Sequence, residues 1–214
     1  MYIPSAFRVD DIHALHNAID NSRLATVISQ GAEELQASQL PLLLVPDEGP
    51  NGTLYGHFAR ANGHWRELAE NPSALVLFTP ADAYVSPSWY PAKAAHGKVV
   101  PTWNYISVEV RGKVEVFEDK ERLLQLVSRL SQRHEAGRPQ PWAVSDAPAD
   151  YIDSMLRAIV GFALPIERIE GKFKLSQNRD MPDRIGVSTG LNQSADPRDV
   201  ELAGHLGQTL STKP

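Results

Sequence analysis

The spacing of apolar and polar positions marks out most of the chain's elements. Ile12, Leu15 and Ile19 recur at helical intervals behind Asp10, a residue suited to an N-cap, and predict a short opening helix. Residues 24–29 and 40–45 read as strands, and the Asn51-Gly52 turn sets up another over 53–59. Residues 65–70 form one or two helical turns ended by Asn71-Pro72, and 74–79 is a further strand. Between Tyr105 and Phe117, Ile106, Val108, Val110, Val114 and Val116 share one parity while Ser107, Glu109, Arg111, Lys113 and Glu115 hold the other. Gly112 sits in the apolar register, so the pattern predicts one long strand bent at a glycine, the device that small barrels use at their corners.

A helix follows over 119–134, acidic at its start (Glu118, Asp119, Glu121) and basic near its end (Arg129, Arg133, His134), as the helix dipole favours. Pro148 opens another, with Ile152, Met155, Leu156 and Ile159 on one face and Gly161 at its end. Phe162, Leu164 and Ile166 alternate in one parity, and Ile169, Phe173 and Leu175 in the other. That switch predicts a bulge near Glu167-Arg168 in a strand running to about Ser176. A last helix over 197–206, capped by Asp196, precedes a polar tail. Several strands come before the first long helix and no strand–helix alternation develops. The fold class expected is therefore mainly β with peripheral helices (α+β), an antiparallel barrel rather than a doubly wound sheet.

Composition narrows the chemistry. The 214 residues carry 21 Lys+Arg against 26 Asp+Glu, a net charge of −5, and contain no cysteine. Disulfides, iron–sulfur clusters, thiolate zinc sites and a cysteine nucleophile are excluded. The acidity argues against a surface that tracks nucleic acid throughout, although a local basic patch is compatible with it. Neither a signal-peptide pattern nor an apolar run long enough to span a bilayer is present, so a cytoplasmic protein without membrane contact is expected.

Three clusters carry chemistry. Residues 84–105 place Tyr84, Trp89, Tyr90, Trp103 and Tyr105 together with Lys93 and Lys98, and no carboxylate occurs between Asp82 and Glu109. Such a surface suits a flat anionic ligand, and equally a hairpin whose aromatics plug a barrel end. His57-Phe-Ala-Arg-Ala-Asn62, followed by Trp65, puts Arg60 at a strand-to-helix junction, fit either for a phosphate or for a surface carboxylate. In residues 172–179, Lys174, Ser176 and Asn178 face away from Phe173 and Leu175, as ligand donors or as strand-end caps. Other motifs carry less. Gly186-Val-Ser-Thr-Gly190 matches a nucleophile elbow but lacks the strands a hydrolase needs before its histidine. His13-x-x-His16 lacks a third metal ligand, and no glycine-rich phosphate loop occurs.

Residues 1–7 (Met-Tyr-Ile-Pro-x-x-Phe), His57–Asn62 with Trp65, Tyr84-Val-Ser-Pro-Ser-Trp-Tyr90, Val100-Pro-Thr-Trp-Asn-Tyr105 and Lys174-Leu-Ser-Gln-Asn-Arg179 together resemble the PaiB family, described as FMN-binding negative transcriptional regulators. The match runs from residue 1 to about Gly190. The resemblance implies a split β-barrel of pyridoxamine-phosphate-oxidase-like type over 1–190, with 191–214 as a C-terminal helix and polar tail. It also implies a homodimer with FMN at the subunit interface. On this reading Arg60 and Asn62 lie near the phosphate with Lys93 as a second cation. Ser86, Trp89, Thr102, Trp103 and Asn104 line the ring and ribityl chain, and Ser176, Gln177 and Arg179 reach in from the C-terminal strand. Two positions depart from the family pattern, Gly63-His64 where a proline follows Asn62, and Glu109 where histidine is frequent. A DNA partner is an expectation from the family alone, since no helix-turn-helix with a basic face is legible. An FMN-dependent oxidoreductase is the alternative function; the flavin would do the redox work, no side chain need act as acid or base, and Tyr90, His96 and Tyr105 are the candidates for that role. Haem binding is a third reading, with His57, His64 and His96 near the site. No metal site is expected.

Overall fold

The computed structural model describes residues 1–211; the end of the expected polar tail, 212–214, lies outside the described residues. The chain separates into two compact units, one formed by 1–18, 79–108 and 170–214, the other by 19–78 and 109–169. All strand pairs with an assigned register are antiparallel.

The second unit contains β2 (Ala25–Gln30), β3 (Leu35–Leu40), β4 (Leu43–Val45), β5 (Thr53–Ala59), α2 (His64–Glu70), β6 (Ser73–Phe78), β9 (Glu115–Phe117), α4 (Lys120–Glu135), α5 (Ala149–Arg157) and β10 (Ile159–Pro165). One sheet carries the order β6-β2-β3, and a four-stranded sheet the order β4-β5-β10-β9. Leu43, Phe117, Leu123, Leu126, Leu130, Leu156 and Ala163 form a core between the second sheet and α4 and α5. Asp119 caps α4 by accepting the Arg122 N–H at 2.8 Å.

The first unit contains β1 (Arg8–Val9), most of α1 (Ile12–Asn21), β7 (Asp82–Val85), α3 (Ala92–His96), β11 (Arg168–Lys174), α6 (Met181–Asn192) and α7 (Pro197–Ser211). The strand β8 (Thr102–Lys113) begins in this unit and ends in the other. β7 and β8 form a hairpin that pairs Tyr84 with Trp103, and β1 pairs with β11. Val187, Leu191, Leu202 and Leu206 are fully buried where α6 and α7 pack together.

Three sequence expectations need correction. The strand expected over 40–45 is cut at Pro41, which cannot donate to a ladder; β3 ends before it and β4 joins the other sheet. The long strand expected to Phe117 divides after Lys113, where the Val114 N–H turns to the Pro72 carbonyl at 2.8 Å. Only one residue separates β8 from β9, so the alternation runs through the break undisturbed. At Gly112 a Cβ would lie 2.3 Å from the Pro165 carbonyl oxygen, so the close approach of backbone there requires glycine. Finally, the parity switch near Glu167 is a change of sheet rather than a bulge. Ile166 N–H bonds the Gly52 carbonyl and Glu167 N–H the Arg111 carbonyl, ending β10 and releasing β11.

Candidate functional site

In the first unit, the start of β8 and the end of β11 bring four of the expected residues together. Asn104 is fully buried and donates through Nδ2 to Ser176 Oγ at 2.9 Å. Ser176 is the one non-glycine among the described residues with positive φ, at 62°, a left-handed conformation that a short polar side chain tolerates when tied down. Lys174 Nζ donates to Thr102 Oγ1 and to the Trp103 carbonyl, both at 2.5 Å. Trp103 itself is 53% exposed and meets Tyr84, 45% exposed, edge to face at 5.9 Å between centroids. Gln177 folds back on its own strand end, accepting from the Leu175 N–H at 2.7 Å and donating to the Phe173 carbonyl.

The segment between β7 and β8 holds a second group. Ser86 caps a short 3-10 helix over Pro87–Trp89 through the Ser88 N–H, and Lys93 Nζ donates to Ser88 Oγ at 3.3 Å. Trp89 is seated against α6 where Gly186 and Gly190 lie one turn apart. A Cβ at Gly190 would lie 2.3 Å from the indole ring, and one at Gly186 2.0 Å from the Trp89 carbonyl oxygen. The apparent nucleophile elbow is therefore the interior of a helix whose missing side chains seat a tryptophan. Asp183, buried on α6, accepts the Ala92 N–H at 3.1 Å. The Arg179 guanidinium lies over the Tyr90 ring at 4.8 Å.

In the second unit, Arg60 is committed. Nε donates to the Arg157 carbonyl at 2.7 Å, Nη2 to the Ile159 carbonyl at 3.2 Å, and Nη1 to Glu118 Oε2. Asn62 accepts the His64 N–H at 3.0 Å and donates to Ser38 Oγ at 3.2 Å. His64 is buried with each ring nitrogen on a serine, Nε2 to Ser29 Oγ at 2.9 Å and Nδ1 to Ser38 Oγ at 2.8 Å. Burial holds its pKa below the ordinary histidine value, with Glu67 opposing, and burial likewise lowers that of His57, whose Nδ1 is buried without a hydrogen-bond partner.

A histidine with a depressed folded pKa contributes nothing pH-dependent above its unfolded value of about 6.5, where both states are neutral. Below that value the unfolded chain takes up protons that the folded chain refuses, so stability falls. Denaturant melts from pH 8 to 5 should therefore show stability level above about 6.5 and declining below it. His64→Gln should lessen the decline, leaving the share due to His57, while lowering stability at neutral pH by about 1–3 kcal/mol, because one serine loses its partner.

Lys174 was expected as a ligand donor or a strand-end cap, and Lys172 was given no role. Lys172 lies over Tyr105 at 5.2 Å and over Tyr2 at 5.7 Å. The signal was in the alternation of β11, which puts both lysines on the face shared with Ser176. Burial, with the positive charges of Lys172 and Arg179, holds the Lys174 ammonium below the ordinary lysine pKa. Among the described residues no helix is long and apolar enough to cross a membrane, and no group of three acidic or histidine side chains is placed to hold a metal.

Known proteins bear on this arrangement. A family model described as "Putative FMN-binding domain" matches residues 1–168. The chain is 31% identical over 203 residues, 95% of either chain, to the protease synthase and sporulation protein PAI 2 of Bacillus subtilis. Among solved structures, the FAD and heme binding protein from Mycobacterium smegmatis aligns at a TM-score of 0.60 and 21% identity, covering 78% of this chain and 73% of that one. The flavocytochrome Anf3 from Azotobacter vinelandii aligns at 0.58 and 17%, covering 84% and 75%. At those identities the likeness is one of fold, antiparallel sheets with peripheral helices of the split-barrel type.

Proposed function

The chain belongs to the FMN-binding-domain family whose model spans residues 1–168, and on that premise we propose that it works as a PaiB-like flavin-binding homodimer that acts as a negative regulator of transcription. The observation that carries the flavin assignment is the composition of the first unit's cluster. Two exposed rings, Tyr84 and Trp103, stand beside hydroxyl, amide and ammonium donors held in place by buried hydrogen bonds. That donor set fits FMN, which needs an apolar slot for its ring, polar groups at the ring edge and cations for its phosphate. When bound, FMN supplies one- and two-electron redox chemistry.

In this reading Thr102, Trp103 and Gln177 bound the ring, while the Asn104–Ser176 pair fixes the backbone that presents them. Ser86, Trp89 and Lys93 shape the neighbouring segment, and Arg179 holds Tyr90. Arg60 and Asn62 are the phosphate ligands of the second unit. In a two-fold dimer identical patches pair, so each subunit's residues serve both sites.

The purified protein is expected to carry the visible absorption of flavin and to gain stability with added FMN. At a hundredfold excess over the dissociation constant the gain is about 2.7 kcal/mol, a rise of several degrees in Tm. A colourless protein with an unmoved melting curve would remove the proposal.

A further inference from the structure

We propose that the groove between β5, the second half of α4 and Trp142 binds a small, uncharged aromatic molecule that carries a carbonyl group. Its ring would lie against Trp142 and its carbonyl oxygen would accept from His57. This site is additional to that for flavin and does not depend on it.

Every residue of the groove belongs to the second unit. Val127, Leu130 and Trp142 supply apolar walls, and His57, Ser131 and His134 the polar ones, around a space of about 270 Å³. That is just under the roughly 300 Å³ at which sites for drug-sized ligands begin, so the space suits one substituted ring. Trp142 is 44% exposed, and its main chain is tied down, the N–H donating to Glu135 Oε2 at 3.1 Å. An indole held by its backbone and open to solvent is a ready partner for a second ring.

His57 gives the groove its chemistry. Nδ1 is buried without a partner, while Nε2 is not buried and makes no hydrogen bond among the described residues. Burial favours the neutral imidazole, so one nitrogen carries hydrogen and the other a bare lone pair. Buried N–H groups are left orphaned more rarely than buried acceptors, which places the hydrogen on Nε2 and makes the unburied side of the ring a donor. Ser131 and His134 likewise make no side-chain hydrogen bond among the described residues. Glu135, the carboxylate that lines the groove, is already taken by the Trp142 N–H and by Arg138 at 3.2 Å. Neutral donors beside a carboxylate, with no lysine or arginine lining the space, favour an uncharged acceptor over an anion.

None of the residues assigned to flavin lines the groove. Arg60 lies past the end of β5 and turns to Glu118, ahead of Lys120 at the start of α4. Leu130 and His134 are ten and fourteen residues along that helix from Lys120, about 15 and 21 Å of axial rise.

The test uses the FMN-loaded full chain at about pH 8, titrated with benzamide, benzoate and toluene, read by calorimetry and by nitrogen NMR of labelled histidine. Benzamide should bind at least about fivefold more tightly than benzoate, which adds a charge, or toluene, which lacks the acceptor, and should shift the His57 Nε2 resonance. Trp142→Ala, a change at a half-exposed side chain, should lose about tenfold in benzamide affinity while FMN affinity changes less than about twofold. No benzamide binding up to about 10 mM, benzoate or toluene binding as tightly as benzamide, or an unmoved His57 resonance would each overturn the site, and none of these needs a variant to fold. Displacement of FMN by benzamide, or a parallel loss of FMN affinity in the variant, would also overturn it by assigning the groove to flavin. If the chain binds no FMN at all, the flavin reading fails, and the same titration of the flavin-free chain still decides the groove.

Discussion

Arg60→Ala is expected to weaken FMN binding by about ten- to hundredfold, the loss that follows when a charged donor to a phosphate is removed. The obvious objection is that Arg60 is already engaged, by two backbone carbonyls and by Glu118. Its ion pair with Glu118 is solvent-exposed, however, with side chains 37% and 54% accessible, and such a pair contributes only about 0–1 kcal/mol. A phosphate dianion can compete with that carboxylate, whereas the bonds to the Arg157 and Ile159 carbonyls pre-orient the guanidinium. The comparison variant is Glu118→Gln. If Arg60 binds phosphate, removing its competitor should tighten FMN binding severalfold and leave the melting temperature nearly unchanged. If Arg60 only fastens the start of β10, both variants should shift stability and neither should move affinity. Fluorescence titration of FMN beside thermal melts separates the two.

Gly186→Ala is expected to be the most damaging single methyl in the first unit. The added carbon would sit 2.0 Å from a backbone oxygen of Trp89, so the segment rather than a flexible side chain must move. Overpacking of this kind costs about 1–3 kcal/mol and sometimes more, and here the upper end applies. The near-ultraviolet circular dichroism of Trp89 should weaken, and FMN retention with it. Gly204→Ala, one helix further on, is the control. Nothing lies within 4 Å of its added carbon, so it should raise stability by about 0.5–1 kcal/mol through helix propensity alone. Chemical denaturation of the two variants should give changes of opposite sign.

Period and parity made the elements with a clear apolar face legible. α1, β5, α2 and α4 lie within a residue or two of where Ile12, Thr53, Trp65 and Glu118 put them. What the pattern could not convey was which sheet a strand joins. Pro41, Val114 and Glu167 each mark a passage between sheets, across one or two residues, and an alternation of period two does not say which sheet a strand joins. β3 was missed because its residues, Leu35-Gln-Ala-Ser-Gln-Leu40, are half polar and none is buried. α6 was missed because two glycines and Pro182 dilute its helical signal, and those glycines exist for Trp89, a partner far away in sequence.

The site was legible in part. The blocks around Trp103 and Ser176 meet, as the distances from Asn104 and Lys174 show. Spacing favoured a surface carboxylate for Arg60, and Glu118 occupies it.

The pairing of β1 with β11 has a consequence for how this chain is born. Arg8 lies opposite Lys172, so β1 has no partner until more than 160 further residues have been made. At about 5–20 residues per second that wait is roughly 8–30 s, during which the hairpin over Tyr84 and Trp103 is also deprived of its third segment. The half of the molecule that carries the aromatic cluster must therefore assemble last. Slow codons or chaperone depletion late in synthesis should selectively compromise it.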